Sequence, residues 1–531
     1  MERALSAADT VAIVGAGTMG TGVAQVAATA GHKTLIYDTR PGAAKKSVED
    51  IRAGLERRLS RGKITEQELE KLLSRLHPVE LIEELCDARL VFEAIVEDLG
   101  VKQSLCKKLE SVCGEDTLLT TNTSSLSITA IASALSRPAN LVGMHFFNPA
   151  PVMKLVEVVS GVETSREAAE AVHETAIMWG KNPVHARSTP GFIVNRVARP
   201  FYAEALRLLE EGAADVPTLD AVMRDCGGFR MGPFELMDLI GNDVNYAVTC
   251  SVFSAFHMDP RFLPSLIQKE LVDGGLLGRK TGRGFYDYSA STEKIRPSSA
   301  GPGTPPTAIL AEGELGIMEA LIPLWEEAGI QVTRKTGEEA AFILGDVRIA
   351  LTDGRTATRR AADSGNTDTL LFDLALDYRQ ATRVALTPAA GASDDALQAA
   401  IGLFEAAGKE VSVIADTPGM SVMRTVCMLA NEGADAVLHR VCDAAAVDIA
   451  MQQGVNYPLG PLAWADRIGP GRVLKVLENL QHAYGLDRYR PSLLLRRIVE
   501  SGQSFQGIAA KEDTGRDLQL RLPRVGVGVR E

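Results

Sequence analysis

The sequence predicts a four-part chain: an α/β domain, an all-helical domain, a second and degenerate α/β region, and a second copy of the helical domain. Three observations lead there. The apolar stretch Thr10 to Ala16 runs into the glycine-rich turn Gly15-Ala16-Gly17-Thr18-Met19-Gly20, and a helical run follows from Thr21 to Ala30. Farther on, Phe192, Val197, Phe201, Ala205 and Leu208 recur at helical spacing. Finally, a constant offset of 228 residues carries Gly180-Lys181 onto Gly408-Lys409, Thr189-Pro190-Gly191 onto Thr417-Pro418-Gly419, Arg196 onto Arg424, Glu204 onto Glu432, Asp220 onto Asp448 and Gly232-Pro233 onto Gly460-Pro461. So many matches in one register indicate a duplication.

These signals divide the chain into an α/β domain at 8–188, a first helical domain at 189–290, a linker at 291–310, a degenerate α/β region at 311–416, a second helical domain at 417–510 and a tail at 511–531. Bulk properties set the class. Of 531 residues, 46% are hydrophobic, which is enough to bury several cores. A net charge of -12 argues against a nucleic-acid partner. The seven cysteines include no ligand-type pair, which indicates free thiols in a reducing compartment. No signal segment or membrane span is evident, so a cytoplasmic protein with no membrane partner is expected.

In the first domain the next strand, Lys33 to Tyr37, ends in Asp38, 23 residues after Gly15. Strand, glycine turn, helix and acid together form the Rossmann-type dinucleotide site. Gly15 allows the turn, Gly17 lets the backbone approach a pyrophosphate, and Gly20 permits close helix–strand packing. Asp38 is expected to accept from ribose hydroxyls and so to favour NAD over its 2′-phosphorylated form, a preference that Arg40 weakens. Val91 to Val96 reads as a strand leading to Glu97 and Lys102 at the ligand-binding edge of the sheet. Leu118 to Thr121 is another, followed by Asn122-Thr123-Ser124-Ser125, whose hydroxyls serve as helix caps or, at Ser124, as a substrate contact. The helix Lys45 to Leu59 and its continuation to Lys63 carry seven basic residues, either a solvated face or a rim for an anionic ligand.

The chemistry centres on Leu141 to Val159, LVGMHFFNPAPVMKLVEVV. Two apolar strands flank the turn Asn148-Pro149-Ala150-Pro151, and their spacing sets Glu157 beside His145. A carboxylate fixes one tautomer of an imidazole and supports its charged form, as a general base for an alcohol proton requires. Asn195, early in the helix from Phe192 to Glu210, supplies an amide donor. Its counterpart in the second copy is Met423, a thioether that cannot donate, so the second copy reads as structural. With no zinc-ligand cluster, metal-assisted alcohol oxidation is disfavoured. Further elements expected are a helix at Thr164 to Gly180, a short connector at Val184 to Ala186, a helix from about Glu312 to Ala328, and strands at 331–334, 341–344, 370–376 and 383–386. No GxGxxG lies in that second α/β region, and no cofactor is expected there.

The segments GAGTMG at 15–20, EAIVEDLGVK at 93–102, TNTSSLSIT at 121–129, the His145 segment, TPGFIVNR at 189–196, MGPFELMDLIG at 231–241 and KTGRGFYDY at 280–288 resemble the L-3-hydroxyacyl-CoA dehydrogenase family. The resemblance implies that His145 is the catalytic base, Glu157 its partner, and Ser124 and Asn195 the substrate contacts. It places NAD on Gly15, Gly17, Thr18, Met19, Gly20, Asp38, Glu97, Lys102 and Asn122. An acyl-CoA substrate and a homodimer are likewise implied. The long layout, with LTDGRTATRRA at 351–361, resembles the bacterial branch associated with phenylacetate breakdown, whose substrate is 3-hydroxyadipyl-CoA; 3-hydroxybutyryl-CoA is the other candidate. Competing readings are a dehydrogenase of a free hydroxy or sugar acid of the gulonate type, and an inactive NAD-binding scaffold.

Overall fold

The computed structural model describes residues 4–289 and 295–507; the tail expected at 511–531 lies outside them, as do the predicted domain ends at 290 and 510. The described chain forms two units. The first joins residues up to Val194 with His439–Gly454, and the second joins Asn195–Leu438 with the segment from Val455.

The first unit is built on eight strands: β1 Thr10–Val14, β2 Thr34–Tyr37, β3 Leu76–Pro78, β4 Ala88–Glu93, β5 Leu118–Thr121, β6 Leu141–Phe146, β7 Leu155–Ser160 and β8 Asn182–Arg187. Their order is β3-β2-β1-β4-β5-β6-β7-β8. All neighbours are parallel except β6 and β7. Strands covered on both faces read as unbroken apolar runs, and residues 11–14 of β1 are all buried. Val11, Ile13, Ile36, Phe92, Val142, Met144, Val156 and Val158 form the core, each contributing about 1.5–3 kcal/mol by burial. The order reverses between β1 and β4, the topological switch point where such sheets bind ligands.

β8 corrects an expectation. The connector at Val184 to Ala186 is a six-residue strand parallel to β7. Only Val184 and Ala186 turn inward, and Asn182, His185 and Arg187 mask the apolar signal. The helix Ala444–Gly454 packs on β7 and β8. Arg187 N–H donates to the Val441 carbonyl at 2.8 Å, and Asn182 donates to Gln453 at 2.6 Å. A Cβ on Gly454 would lie 2.6 Å from the Leu155 side chain, so a larger residue there would have to displace it.

Against β8 packs the helix Arg166–Met178, where the His173 and His185 rings stack with centroids 4.4 Å apart. Glu170 is 3.7 Å from His185 Nε2. The ligand-type atoms of these three residues lie within 4.8 Å of one another, a convergence that residue spacing alone does not reveal. Burial lowers the pKa of both rings, and the neighbouring His173 lowers that of His185 further. The unfolded chain then binds protons that the fold refuses, so stability declines as pH falls below about 6.5. The melting temperature is expected to be lower at pH 5.5 than at pH 7.5, and His185→Asn should shrink that difference in parallel thermal melts.

In the second unit a seven-stranded sheet runs β10-β9-β11-β12-β13-β14-β15, from β9 Ala308–Glu312, β10 Gln331–Lys335, β11 Ala341–Leu344, β12 Val347–Leu351, β13 Thr369–Phe372, β14 Arg383–Pro388 and β15 Glu410–Val413. The helix expected at 312–328 is replaced by the end of β9, a 3-10 turn Gly316–Leu321 and the short helix Ile322–Glu327. The strand expected at 370–376 stops at Phe372. Sequence reading passes over β12, β15 and the helix Asp394–Ala406. Residues 295–307 of the expected linker are strapped to this sheet rather than free: Ala300 N–H donates to Val411, and Gly303 passes Gly402 so closely that a Cβ on Gly303 would lie 2.3 Å from the Gly402 nitrogen.

The duplication persists in three dimensions. The long helix expected from Phe192 breaks into Val194–Val197 and Arg199–Glu210, and its copy is Val422–Leu438. Arg196 pairs with Glu432 at 2.5 Å and Arg424 with Glu204 at 2.8 Å, the same contact made in both directions under the 228-residue offset. Ala415 N–H donates to the Ala213 carbonyl at 2.8 Å, repeating the Arg187–Val441 bond. Each sheet is thus completed by a segment of the other copy's helical part. No helix among the described residues is long and apolar enough to cross a membrane.

Candidate active site

The end of β1 sets the nucleotide geometry. Gly15 has φ 103°, and a Cβ there would stand 2.5 Å from the Ala94 carbonyl oxygen. A Cβ on Gly20 would lie 1.8 Å from the Gly15 oxygen, whereas Gly17 faces open space. Beyond the turn, Thr18 is exposed and Met19 half-buried at the start of the helix Thr18–Ala30. A cavity of about 660 Å³ opens here, lined by Gly15, Gly17, Asp38, Arg40, Ile95 and Val101. Asp38 accepts the Ala16 N–H at 2.8 Å and is gripped by Arg40, through its N–H at 2.8 Å and its guanidinium at 3.0 Å. Burial works to raise the Asp38 pKa, but the Arg40 hydrogen bonds prevail and hold it below the usual carboxylate range. A glycine cradle beside an ionised acid fits the pyrophosphate and ribose of NAD. Asp38→Ala is expected to raise the KM for NAD about tenfold or more, the scale of losing a charge-assisted hydrogen bond, and to leave Arg40 free for a 2′-phosphate. Initial rates with NAD and NADP check this; an unchanged ratio of the two KM values would contradict it.

The strand edges next to this cavity hold a buried charge cluster. Glu93 accepts from Lys102 at 2.6 Å, from Thr121 at 2.6 Å and from Ile95 N–H at 2.7 Å. Lys102 is 1% exposed, so its ammonium is committed to Glu93 and, at 3.5 Å, to Glu97. Glu97 in turn ties the loop after β5, accepting from the Thr123 hydroxyl at 2.6 Å, Ser124 N–H at 3.0 Å and Ser125 N–H at 3.2 Å. Burial opposes ionisation of Glu97, yet the Thr123 bond and the Lys102 charge hold its pKa below the usual range. Lys102 therefore acts through Glu97, and Glu97 positions Ser124. Asn122 accepts the Phe146 N–H at 2.9 Å and so fixes β5 to the end of β6.

On β6 and β7, His145 stands opposite Glu157 in the antiparallel register. The bond from His145 Nδ1 to Glu157 Oε2 is 2.6 Å long, with His145 6% exposed and Glu157 fully buried. The other carboxylate oxygen accepts the N–H groups of Ile193 and Val194 at 2.9 and 3.0 Å. Phe147 and Phe192 flank the imidazole, with centroids 4.6 and 5.8 Å away, and Phe192 takes φ 46°. Asn195 is the next residue after Val194 and opens the second unit. Thr123, Phe147, Phe192 and the Ile193 and Val194 amides were missed in the sequence; their proximity in the chain to Ser124, His145 and Asn195 was the available signal.

Residues 10–189 match the family described as 3-hydroxyacyl-CoA dehydrogenase, NAD binding domain, and residues 191–288 and 419–508 match its C-terminal domain. The chain belongs to the 3-hydroxyacyl-CoA dehydrogenase family. Residues 349–418 match the 3-hydroxybutyryl-CoA dehydrogenase reduced Rossmann-fold domain. A 3-hydroxyadipyl-CoA dehydrogenase from Escherichia coli K12 is 47% identical over 93% of this chain and 98% of its own length. A probable 3-hydroxybutyryl-CoA dehydrogenase from Bacillus subtilis is 41% identical over 53% of this chain and 98% of its own. The crystal structure of a 3-hydroxybutyryl-CoA dehydrogenase from E. coli K12 superposes with a TM-score of 0.85 at 46% identity, covering 94% of this chain and 100% of that one. The activity is NAD-dependent oxidation of a 3-hydroxyacyl-CoA, and neither the free-acid reading nor the inactive-scaffold reading is favoured.

Within this dehydrogenase family's fold, the second copy keeps the scaffold without the His145–Glu157 pair. Under the same 228-residue offset, Asp373 stands in place of His145 and Ala385 in place of Glu157, and Asp373 N–H donates to the Ala385 carbonyl across β13 and β14. The Asp373 carboxylate accepts from Ser421, Val422 and Met423 at 2.7 to 3.0 Å. Anchoring of the following helix has thus passed from one strand of the ladder to the other, and the imidazole is gone. Burial pushes the Asp373 pKa up to about 6 against the pull of these amides.

Proposed function

We propose that the chain oxidises 3-hydroxyadipyl-CoA to the 3-oxo thioester with His145 as general base. The observation that carries the mechanism is the 2.6 Å bond between His145 and Glu157 across β6 and β7. Glu157 holds the Nδ1 proton and leaves Nε2 to take the hydroxyl proton. As that proton arrives, the facing carboxylate compensates the positive charge on the ring. The Ile193 and Val194 amides keep the carboxylate in place, so ring orientation is fixed before substrate binds. Phe147 and Phe192 exclude water from the ring faces. NAD, when bound, supplies the hydride acceptor. Ser124 orients the substrate hydroxyl and Asn195 donates to the thioester oxygen.

Exposed Arg52, Arg57, Arg58, Arg61 and Lys63 supply the rim for the CoA phosphates, while Lys45 is engaged by Glu80 at 2.8 Å. The name of the relative that matches over 93% of the chain supports the adipyl substrate. The test follows NADH formation with purified protein, comparing 3-hydroxyadipyl-CoA, 3-hydroxybutyryl-CoA and free 3-hydroxyadipate. The adipyl thioester is expected to give the highest kcat/KM, and equal or better turnover of the free acid would end the proposal. By family resemblance we also read the protein as a homodimer, which light scattering would record as twice the 56.8 kDa chain mass. Seven free thiols support the cytoplasm as its compartment.

A further inference from the structure

The helix Arg199–Glu210 turns one face toward a cavity of about 340 Å³ that the proposed mechanism does not use. Its walls include the apolar Leu206, Leu263 and Leu266, together with Arg199, Arg207 and Arg488. Three buried guanidinium nitrogens around it have no hydrogen-bond partner: Arg199 Nε, Arg207 Nη2 and Arg488 Nε. Arg199 is 6% exposed; its Nη1 donates to the neutral Thr249 hydroxyl at 3.2 Å, and its guanidinium lies 4.9 Å over the Tyr202 ring. Among the described residues no carboxylate pairs with it. The acids nearby are committed elsewhere. Glu204 is shared between Arg207 and Arg424, and Glu210, which also lines the cavity, accepts from Ser265 at 2.9 Å. Burial lowers the Arg199 pKa, the mark of a cation held without a counter-ion.

A buried, unpaired guanidinium is costly to maintain, and one that lines a cavity is compensated when an anion enters. The apolar walls select an anion carried on a short hydrocarbon chain. Arg199 follows Asn195 by four residues and opens the helical segment that begins after the break at Ala198. The amide assigned to the thioester and the cavity wall are thus four residues apart in the chain. Resting on the reading that Asn195 holds the thioester end, we propose that the Arg199 cavity binds the terminal carboxylate of a dicarboxylyl-CoA substrate and selects it over a neutral acyl chain of equal length.

The test compares 3-hydroxyadipyl-CoA with 3-hydroxyhexanoyl-CoA in the wild type, Arg199→Met and Arg199→Lys, alongside thermal melts of the wild type with free adipate or hexanoate. The wild type is expected to prefer the adipyl thioester and to be stabilised by adipate more than by hexanoate. In Arg199→Met the preference should fall about 10- to 100-fold through KM, and Arg199→Lys should recover part of it. A loss shared equally by both thioesters means a merely structural role and overturns the proposal, as does an unchanged preference. If Arg199→Met does not fold, Arg199→Lys and the melts decide. Absence of adipate stabilisation removes the cavity as a carboxylate site whatever the enzyme oxidises. Stabilisation without turnover of the adipyl thioester instead sinks the substrate reading and leaves a free dicarboxylate as the ligand.

Discussion

His145→Ala is expected to lower kcat roughly 10²- to 10⁴-fold, the usual contribution of a positioned acid–base group, with NAD affinity retained. The nucleotide cavity at the end of β1 and the imidazole on β6 draw on different residues, so the two effects separate. Glu157→Gln should produce a loss of similar order by another route. The glutamine carbonyl can still accept from Ile193 and Val194, but its amide would offer a proton to Nδ1, placing the ring proton on Nε2, where the lone pair is needed. Steady-state rates give kcat, and NADH fluorescence titration reports cofactor binding. If both folded variants stay within tenfold of the wild type, the imidazole is not the base.

Lys102→Met should be the most damaging single change to the first unit's stability. It leaves the Glu93 carboxylate, 1% exposed, without its cation, and breaking a buried pair from one side costs about 3–5 kcal/mol. For a unit of this size that corresponds to a drop in melting temperature on the order of 10 °C. The same change frees Glu97 from Lys102 and loosens its hold on Thr123 and Ser124. Residual activity should therefore show a raised substrate KM in addition to the lower melting point, and calorimetry with initial-rate kinetics reads both. A melting point within 2 °C of the wild type, against that order-of-magnitude expectation, would mean the pair contributes little.

The sequence made the chemistry more legible than the fold. An apolar run on either side of a proline turn is enough to pair His145 with Glu157, because strand register leaves few alternatives. The glycine turn and Asp38 carry their backbone requirements in their residue types. Lys102 reads as a ligand contact because sequence does not reveal burial; only the surrounding Glu93, Glu97 and Thr121 show that its charge is internal. β8 escapes the sequence reading because its outward positions are mostly polar and two inward residues do not establish a period, whereas β9, with Ala308 and Leu310 on its outward side, has no polar alternation to mark it as a strand. The offset that revealed the duplication rested on helical landmarks, so the exchange of His145 and Glu157 for Asp373 and Ala385 became visible only once the ladders were paired.

The segment His439–Gly454 closes a unit whose other described residues end at Val194. During synthesis, β7 and β8 leave the ribosome long before the segment that covers them exists. At about 5–20 residues per second, the gap lasts on the order of tens of seconds. Throughout that interval Leu155 and the backbone of Arg187 lack their final neighbours, and the nascent chain must wait with an apolar flank uncovered. Production of this protein should accordingly respond to chaperone supply and translation speed more sharply than its cofactor domain alone would suggest.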